Sequence, residues 1–261
     1  MSNKIQTLIL SLSTIMFVAC EKVIDIDLND VEPKIVVEAN IDDIEGPYQV
    51  KLTKTVNYNQ SNMFPTVSDA VVTLSDSEGN TEVLVESVPG IYVSTLIEGV
   101  PGRTYTLDIE VEDLLLKSSC KMPIPTEIDT ILVEEGFFGA FRYLSIVFQD
   151  DPAEQNYYRF IKVINGITKK DINLATDQLT NGELMTSSLF FFGSDSLKSG
   201  DEIEIIMHGI DKANYDYLRT LNEVINQGVS ATPANPISPF SPVALGYFSA
   251  HSVTRKTIII P

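Results

Sequence analysis

The sequence predicts an all-β protein: an N-terminal immunoglobulin-like β-sandwich followed by a second mainly-β domain with one inserted helix. Three observations carry that expectation. Apolar and polar residues alternate with a period of two along many short runs, which places one face of each strand in a core. Clusters of turn-forming residues separate those runs at regular spacing. A single long stretch, from Asp211 to Gly228, follows helical spacing instead.

In the first half, Ile35, Val37, Ala39 and Ile41 alternate with polar partners. Tyr48, Val50 and Leu52 do the same, followed by Ala70, Val72 and Leu74. Val83 and Val85, then Ile91 to Leu96, continue the series, and Tyr105, Leu107, Ile109 and Val111 give the cleanest alternation. Glu45-Gly46-Pro47, Asp76 to Asn80, Pro89-Gly90 and Pro101-Gly102 supply the turns. About seven strands so spaced fit an antiparallel sandwich over residues 33–122, although the Trp of antibody cores is missing. Pro123 and Pro125 stiffen an extended connector there and mark a domain boundary.

The second domain is expected over residues 126–261. Strand candidates are Ile128–Val133, Phe141–Gln149, Tyr157–Ile164, Leu184–Phe192 and Ile203–His208, with residues 165–182 as a long polar connection. Asp211 is a candidate helix N-cap and Gly228 a stop, giving a helix at about residues 211–227. Tyr217, Leu218, Leu221, Val224 and Ile225 would form its apolar face and pack on the sheet. Pro233, Pro236, Pro239 and Pro242 recur every third residue, so residues 233–242 read as an extended segment with polyproline character. It would be a rigid wrapping loop or a recognition strip. Leu245–Val253 and Lys256–Ile260 would be two closing strands.

The N-terminus carries the strongest functional signal. Lys4 precedes an apolar run from Ile5 to Val18, too short for a transmembrane helix and suited to a signal-peptide core. Phe17-Val18-Ala19-Cys20 then has the form of a lipobox, with Phe17 in place of the more usual Leu. Residues 1–19 are therefore expected to be a lipoprotein signal peptide, Cys20 the lipid attachment site, and residues 20–32 a tether. A thiol is the nucleophile that accepts diacylglycerol, and two or more acyl chains such as palmitate anchor stably where one does not.

The formal net charge is −18, from 18 Lys and Arg against 36 Asp and Glu. Such a body repels phosphate backbones, which argues against nucleic-acid binding, and it does not cling to anionic headgroups unaided. With Cys20 lipidated, Cys120 has no disulfide partner and is expected as a half-buried structural thiol. His208 and His251 lie in no HExxH pattern, no CxxC pair exists, and no Gly-x-Ser-x-Gly elbow, P-loop or GxGxxG occurs. Catalytic, metal and cofactor residues are accordingly expected to be none. The carboxylate pairs Asp42-Asp43 and Asp150-Asp151 could serve calcium or glycoside chemistry, but both sit where turns call for Asp.

Several segments then coincide: Cys20-Glu21-Lys22 with Ile24-Asp25-Ile26-Asp27, Pro33 to Glu38, Val71 to Asp76, Gly99 to Leu107, Asn156-Tyr157-Tyr158-Arg159, and Ala244 to Ser252. Together they resemble the Bacteroidetes outer-membrane lipoprotein family with a domain of unknown function (family 4249), over nearly the whole mature chain. The resemblance implies a lipid-anchored outer-membrane protein, often encoded beside a TonB-dependent receptor. It transfers the role of Cys20 and no catalytic or ligand residue. The expected function is that of a non-enzymatic accessory partner of a TonB-dependent transporter in cargo capture or gating. The alternative is a surface adhesion or glycan-binding module.

Overall fold

Strand propensity, alternation and turn chemistry build sixteen strands and one helix in the computed structural model, which describes residues 32–57, 61, 63–139, 141–226, 235–242 and 244–261. The leader, Cys20, the tether through Val31, the helix-stop residue Gly228 and Pro233 lie outside the described residues.

The N-terminal half supplies β1 (Ile35–Asp42), β2 (Tyr48–Lys54), β3 (Val71–Asp76), β4 (Thr81–Val83), β5 (Val85–Val88), β6 (Ile91–Ser94), β7 (Thr104–Val111) and β8 (Leu114–Lys121). The C-terminal half supplies β9 (Thr130–Glu135), β10 (Arg142–Gln149), β11 (Tyr157–Ile164), β12 (Ile167–Thr168), β13 (Asn173–Thr176), β14 (Leu184–Phe190), β15 (Glu202–Ile210), α1 (Lys212–Asn226) and β16 (Leu245–Ile259). Expected and observed strands agree well where alternation is clean. In β7, Tyr105, Leu107, Ile109 and Val111 are all buried. The stretch 165–182 is not only connection, since it contains β12 and β13, both paired to β11.

One nine-stranded sheet runs through the molecule in the order β12-β11-β15-β16-β1-β2-β6-β5, with β13 also on β11. A four-stranded sheet, β4-β3-β7-β8, covers one end of it, and a three-stranded sheet, β14-β10-β9, covers the other. Each pairing of sheets encloses its own apolar core. The first gathers residues such as Val37, Leu52, Leu74 and Leu107; the second gathers Leu144, Phe148, Phe160 and Ile203.

The 123–125 connector does not separate two independent sheets. Residues Pro33–Pro261 form one compact unit because β16 is a single fifteen-residue strand that serves both ends. Its first half pairs parallel with β1 and its second half antiparallel with β15. Phe248 and Ala250 enter the first core, and Ile260, just past its end, enters the second. Gly246 makes the parallel pairing possible. Its φ is +95°, and a Cβ there would stand 1.9 Å from the Val37 carbonyl oxygen.

The described part of the proline-rich segment, 235–242, caps an edge rather than standing free. Phe240 is buried in the first core, and Ser241 exchanges two backbone hydrogen bonds of 2.9 Å with Lys117 of β8. An otherwise open strand edge is thereby covered. Cys120 is fully buried, not half-buried, and its Sγ accepts a 3.0 Å hydrogen bond from the Ala250 amide.

Candidate functional site

The inward residues of β11, β15 and β16 are chiefly apolar, with Lys162 and Ser252 as exceptions, while the alternate, outward residues form a mixed floor beneath α1, setting Arg159, His208, Ser249 and His251 among apolar residues such as Val163 and Ile206. The ladders place Arg159 opposite His208 and His208 opposite Val253, so these three share the outer face. His251, two residues before Val253, therefore points the same way. The two imidazoles stack with centroids 4.2 Å apart and planes 20° apart. Ser249 continues the outward row, its Oγ 3.2 Å from His251 Nδ1.

The helix is fixed to this floor by polar and aromatic contacts. Asp211 acts as the expected N-cap, its Oδ1 accepting from the Asn214 amide at 2.9 Å and from Asn214 Nδ2 at 2.7 Å. The same Nδ2 donates to the Phe248 carbonyl at 2.9 Å and so bolts the first turn to β16. Tyr215 packs on Tyr157 at 5.0 Å and Tyr217 on Tyr247 at 5.5 Å between ring centroids. Asn40 of β1 in turn donates to the Tyr247 hydroxyl at 3.1 Å. The helix does pack on the sheet, but Asn214 is its one buried residue, and Ile225, expected on the buried face, is exposed.

Arg159 is the unusual member. Its Nε is buried without a hydrogen-bond partner, and among the described residues no carboxylate forms an ion pair with its guanidinium. Burial pushes its pKa down from the ordinary value, opposed by the Tyr247 phenol, yet an arginine of this kind stays charged. Burial, aided by the neighbouring His251 and by Arg159 and Arg255, pushes His208 down to about 2. Burial and Arg159 push His251 down to about 4, against a hydrogen bond that works the other way. Both rings are therefore neutral at physiological pH, and since Arg255 is paired with Glu204, Arg159 is the cation beside them without a carboxylate partner among the described residues. A base with so low a pKa activates the adjacent Ser249 poorly, whereas a guanidinium with free donors suits binding of an oxyanion.

A second cleft of about 470 Å³ lies on the C-terminal end, lined by Lys162, Lys169, Lys170 and Phe190 to Phe192, among others. Its two less exposed cations already have partners, while Lys170 is exposed to solvent. Lys162 Nζ meets Asp171 at 2.6 Å and the Phe190 carbonyl at 2.7 Å, and Lys169 meets Asp195 at 2.7 Å. Arg159 differs from Lys162 and Lys169 in lacking a carboxylate partner and from Lys170 in its burial.

The residues weighed from sequence fall into different places. His208 and His251 come together. The carboxylate pairs do not; they satisfy local backbone and side chains. Asp43 accepts from the Val253 amide at 2.9 Å and Asp42 from the Ile44 amide at 3.1 Å. Asp150 accepts from the Tyr158 hydroxyl at 2.6 Å and the Gly182 amide at 2.9 Å, and Asp151 from the Ala153 amide at 2.9 Å. Among the described residues no group of three or more His, Cys, Asp or Glu could hold a metal ion. No helix among them is long and apolar enough to cross a membrane. Burial pushes the Cys120 thiol well up, aided by Asp211, so it is not a thiolate nucleophile. Arg159 was missed as a site residue, although it stands in Asn156-Tyr157-Tyr158-Arg159. The available signal is an arginine at an outward position of a strand whose other charged residue, Lys162, faces the opposite way.

Comparison with known proteins places these elements in a wider setting. No curated protein matches the chain. The family described as a domain of unknown function, DUF4249, matches residues 21–257. The chain belongs to that family.

Proposed function

We propose that this DUF4249 protein is a non-enzymatic lipoprotein, anchored through Cys20 at the outer membrane, that assists a TonB-dependent transporter in capturing or gating cargo. The observation that carries a binding role is Arg159: a partly buried cation kept without a partner, between neutral histidines and tyrosine pairs, is suited to holding a ligand and ill suited to acid–base chemistry. The location rests on the lipobox-like Phe17-Val18-Ala19-Cys20. Residues 21–32 would then give the folded body a reach of at most about 40 Å from the lipid. Mass spectrometry of the mature protein tests the anchor, with an acylated Cys20 N-terminus as the expected result. An N-terminus without acyl mass overturns it. Affinity purification of the tagged protein from crosslinked outer membranes tests the partner, and failure to capture a TonB-dependent receptor sinks that part.

A glycan-binding module is the second reading. The pairs Tyr157–Tyr215 and Tyr217–Tyr247 favour it, because such rings offer apolar faces with a polar tip. Saturable hits on a glycan array, with no receptor captured, would decide for it.

A further inference from the structure

We propose that the floor beneath α1 is a binding site for a carboxylate group, with the Arg159 guanidinium as its anchor and Tyr247 and Tyr217 beside it. This deepens the binding role proposed above and rests on it. Buried polar atoms are normally paired in folded proteins, so the half-buried Arg159, with its Nε buried and unpartnered, calls for a reason. Here the chain is rich in carboxylates, with 36 acidic residues, yet none among the described residues is in ion-pair contact with Arg159, although eleven such pairs form elsewhere among them. An open guanidinium is the arrangement expected where the missing anion arrives from outside.

The surroundings narrow the class of anion. A guanidinium offers planar paired donors that match a carboxylate in two-pronged fashion. With Arg255 paired to Glu204, the site has one unpaired cation, so a single negative charge is balanced and a phosphate dianion would leave charge over. Neutral imidazoles add donors without adding charge. The flanking tyrosines present ring faces to whatever carries the carboxylate, which favours a ligand with a ring or an apolar body. Two of the segments that carry the family resemblance, Asn156–Arg159 and Ala244–Ser252, supply this floor.

The experiment is thermal unfolding of the full-length protein in detergent, titrated with sodium acetate, sodium glucuronate, glucose and inorganic phosphate at ionic strength matched with sodium chloride. The expected result is a saturable rise in Tm with glucuronate, a weaker one with acetate, and no response beyond chloride with glucose or phosphate. Arg159→Gln should weaken glucuronate at least tenfold, and Arg159→Lys, which keeps the charge but loses the fork, should restore only part of it. The proposal is overturned by a wild-type protein that ignores both carboxylates, by phosphate acting as strongly as they do, or by an Arg159→Gln protein that responds like wild type. Should either variant fail to fold, the wild-type titrations still decide. Receptor capture is scored separately. Capture without carboxylate binding removes this site alone, and carboxylate binding without capture removes the transporter role alone.

Discussion

The two faces of β11, β15 and β16 are written by alternate residues of the same strands, yet they differ in make-up: the inner is chiefly apolar, Lys162 and Ser252 apart, and the outer is mixed. On the inner face, Phe160, Ile205, Met207 and Phe248 are each 2% exposed or less and touch other apolar side chains. On the outer face, Arg159, His208, Ser249 and His251 carry polar atoms into partial burial and leave one of them, Arg159 Nε, without a partner. The inner face is what a fold needs. The outer face costs stability, and folds keep such costs where they serve binding.

The comparison can be broken most severely at the strand that carries both faces. Gly246→Ala places a Cβ against the Val37 carbonyl and forces a side chain into left-handed backbone. It should cost at least about 4 kcal/mol or abolish folding, read by urea unfolding. Next in size is the inner face: Phe160→Ala should cost about 3–5 kcal/mol in the same assay. The outer face sharpens the contrast through pH. Unfolded histidine binds protons near pH 6.5, whereas folded His251 does so only near 4 and His208 near 2. This stability is therefore fully present above pH 6.5 and falls as pH drops towards 4, by up to about 1.4 kcal/mol per pH unit for each ring. His251→Gln should flatten that slope in unfolding titrations between pH 6.5 and 4. The smallest effect is expected at Arg159→Met, within about 1 kcal/mol of wild type without ligand, and towards greater stability if anything. A loss of several kcal/mol there would mean that the charge holds the fold, contrary to the contrast drawn.

Where alternation is regular, as in β7, the residues alone located strand and buried face, and Asp211 announced the start of the helix. The shared strand was harder. Thr254-Arg255 reads as a break between two closing strands, but both residues pair with β15, and Arg255 meets Glu204 at 3.3 Å, so the ladder continues through them. The parallel pairing of β1 with β16 has no local signal, because it depends on chain segments that meet only in space. For the same reason both histidines were visible as residues but their stacking was not. Arg159 differs in kind: lacking a partner is a property of its surroundings, and no string of neighbours records it.

Asn40 and Tyr247 are joined although 207 positions apart, and the strand bearing Tyr247 is made after all the other strands of both cores. Both cores therefore receive their last apolar side chains, Phe248 and Ala250 in one and Ile260 in the other, from the final stretch of chain to be synthesised, so a truncation there strips both ends of the molecule at once.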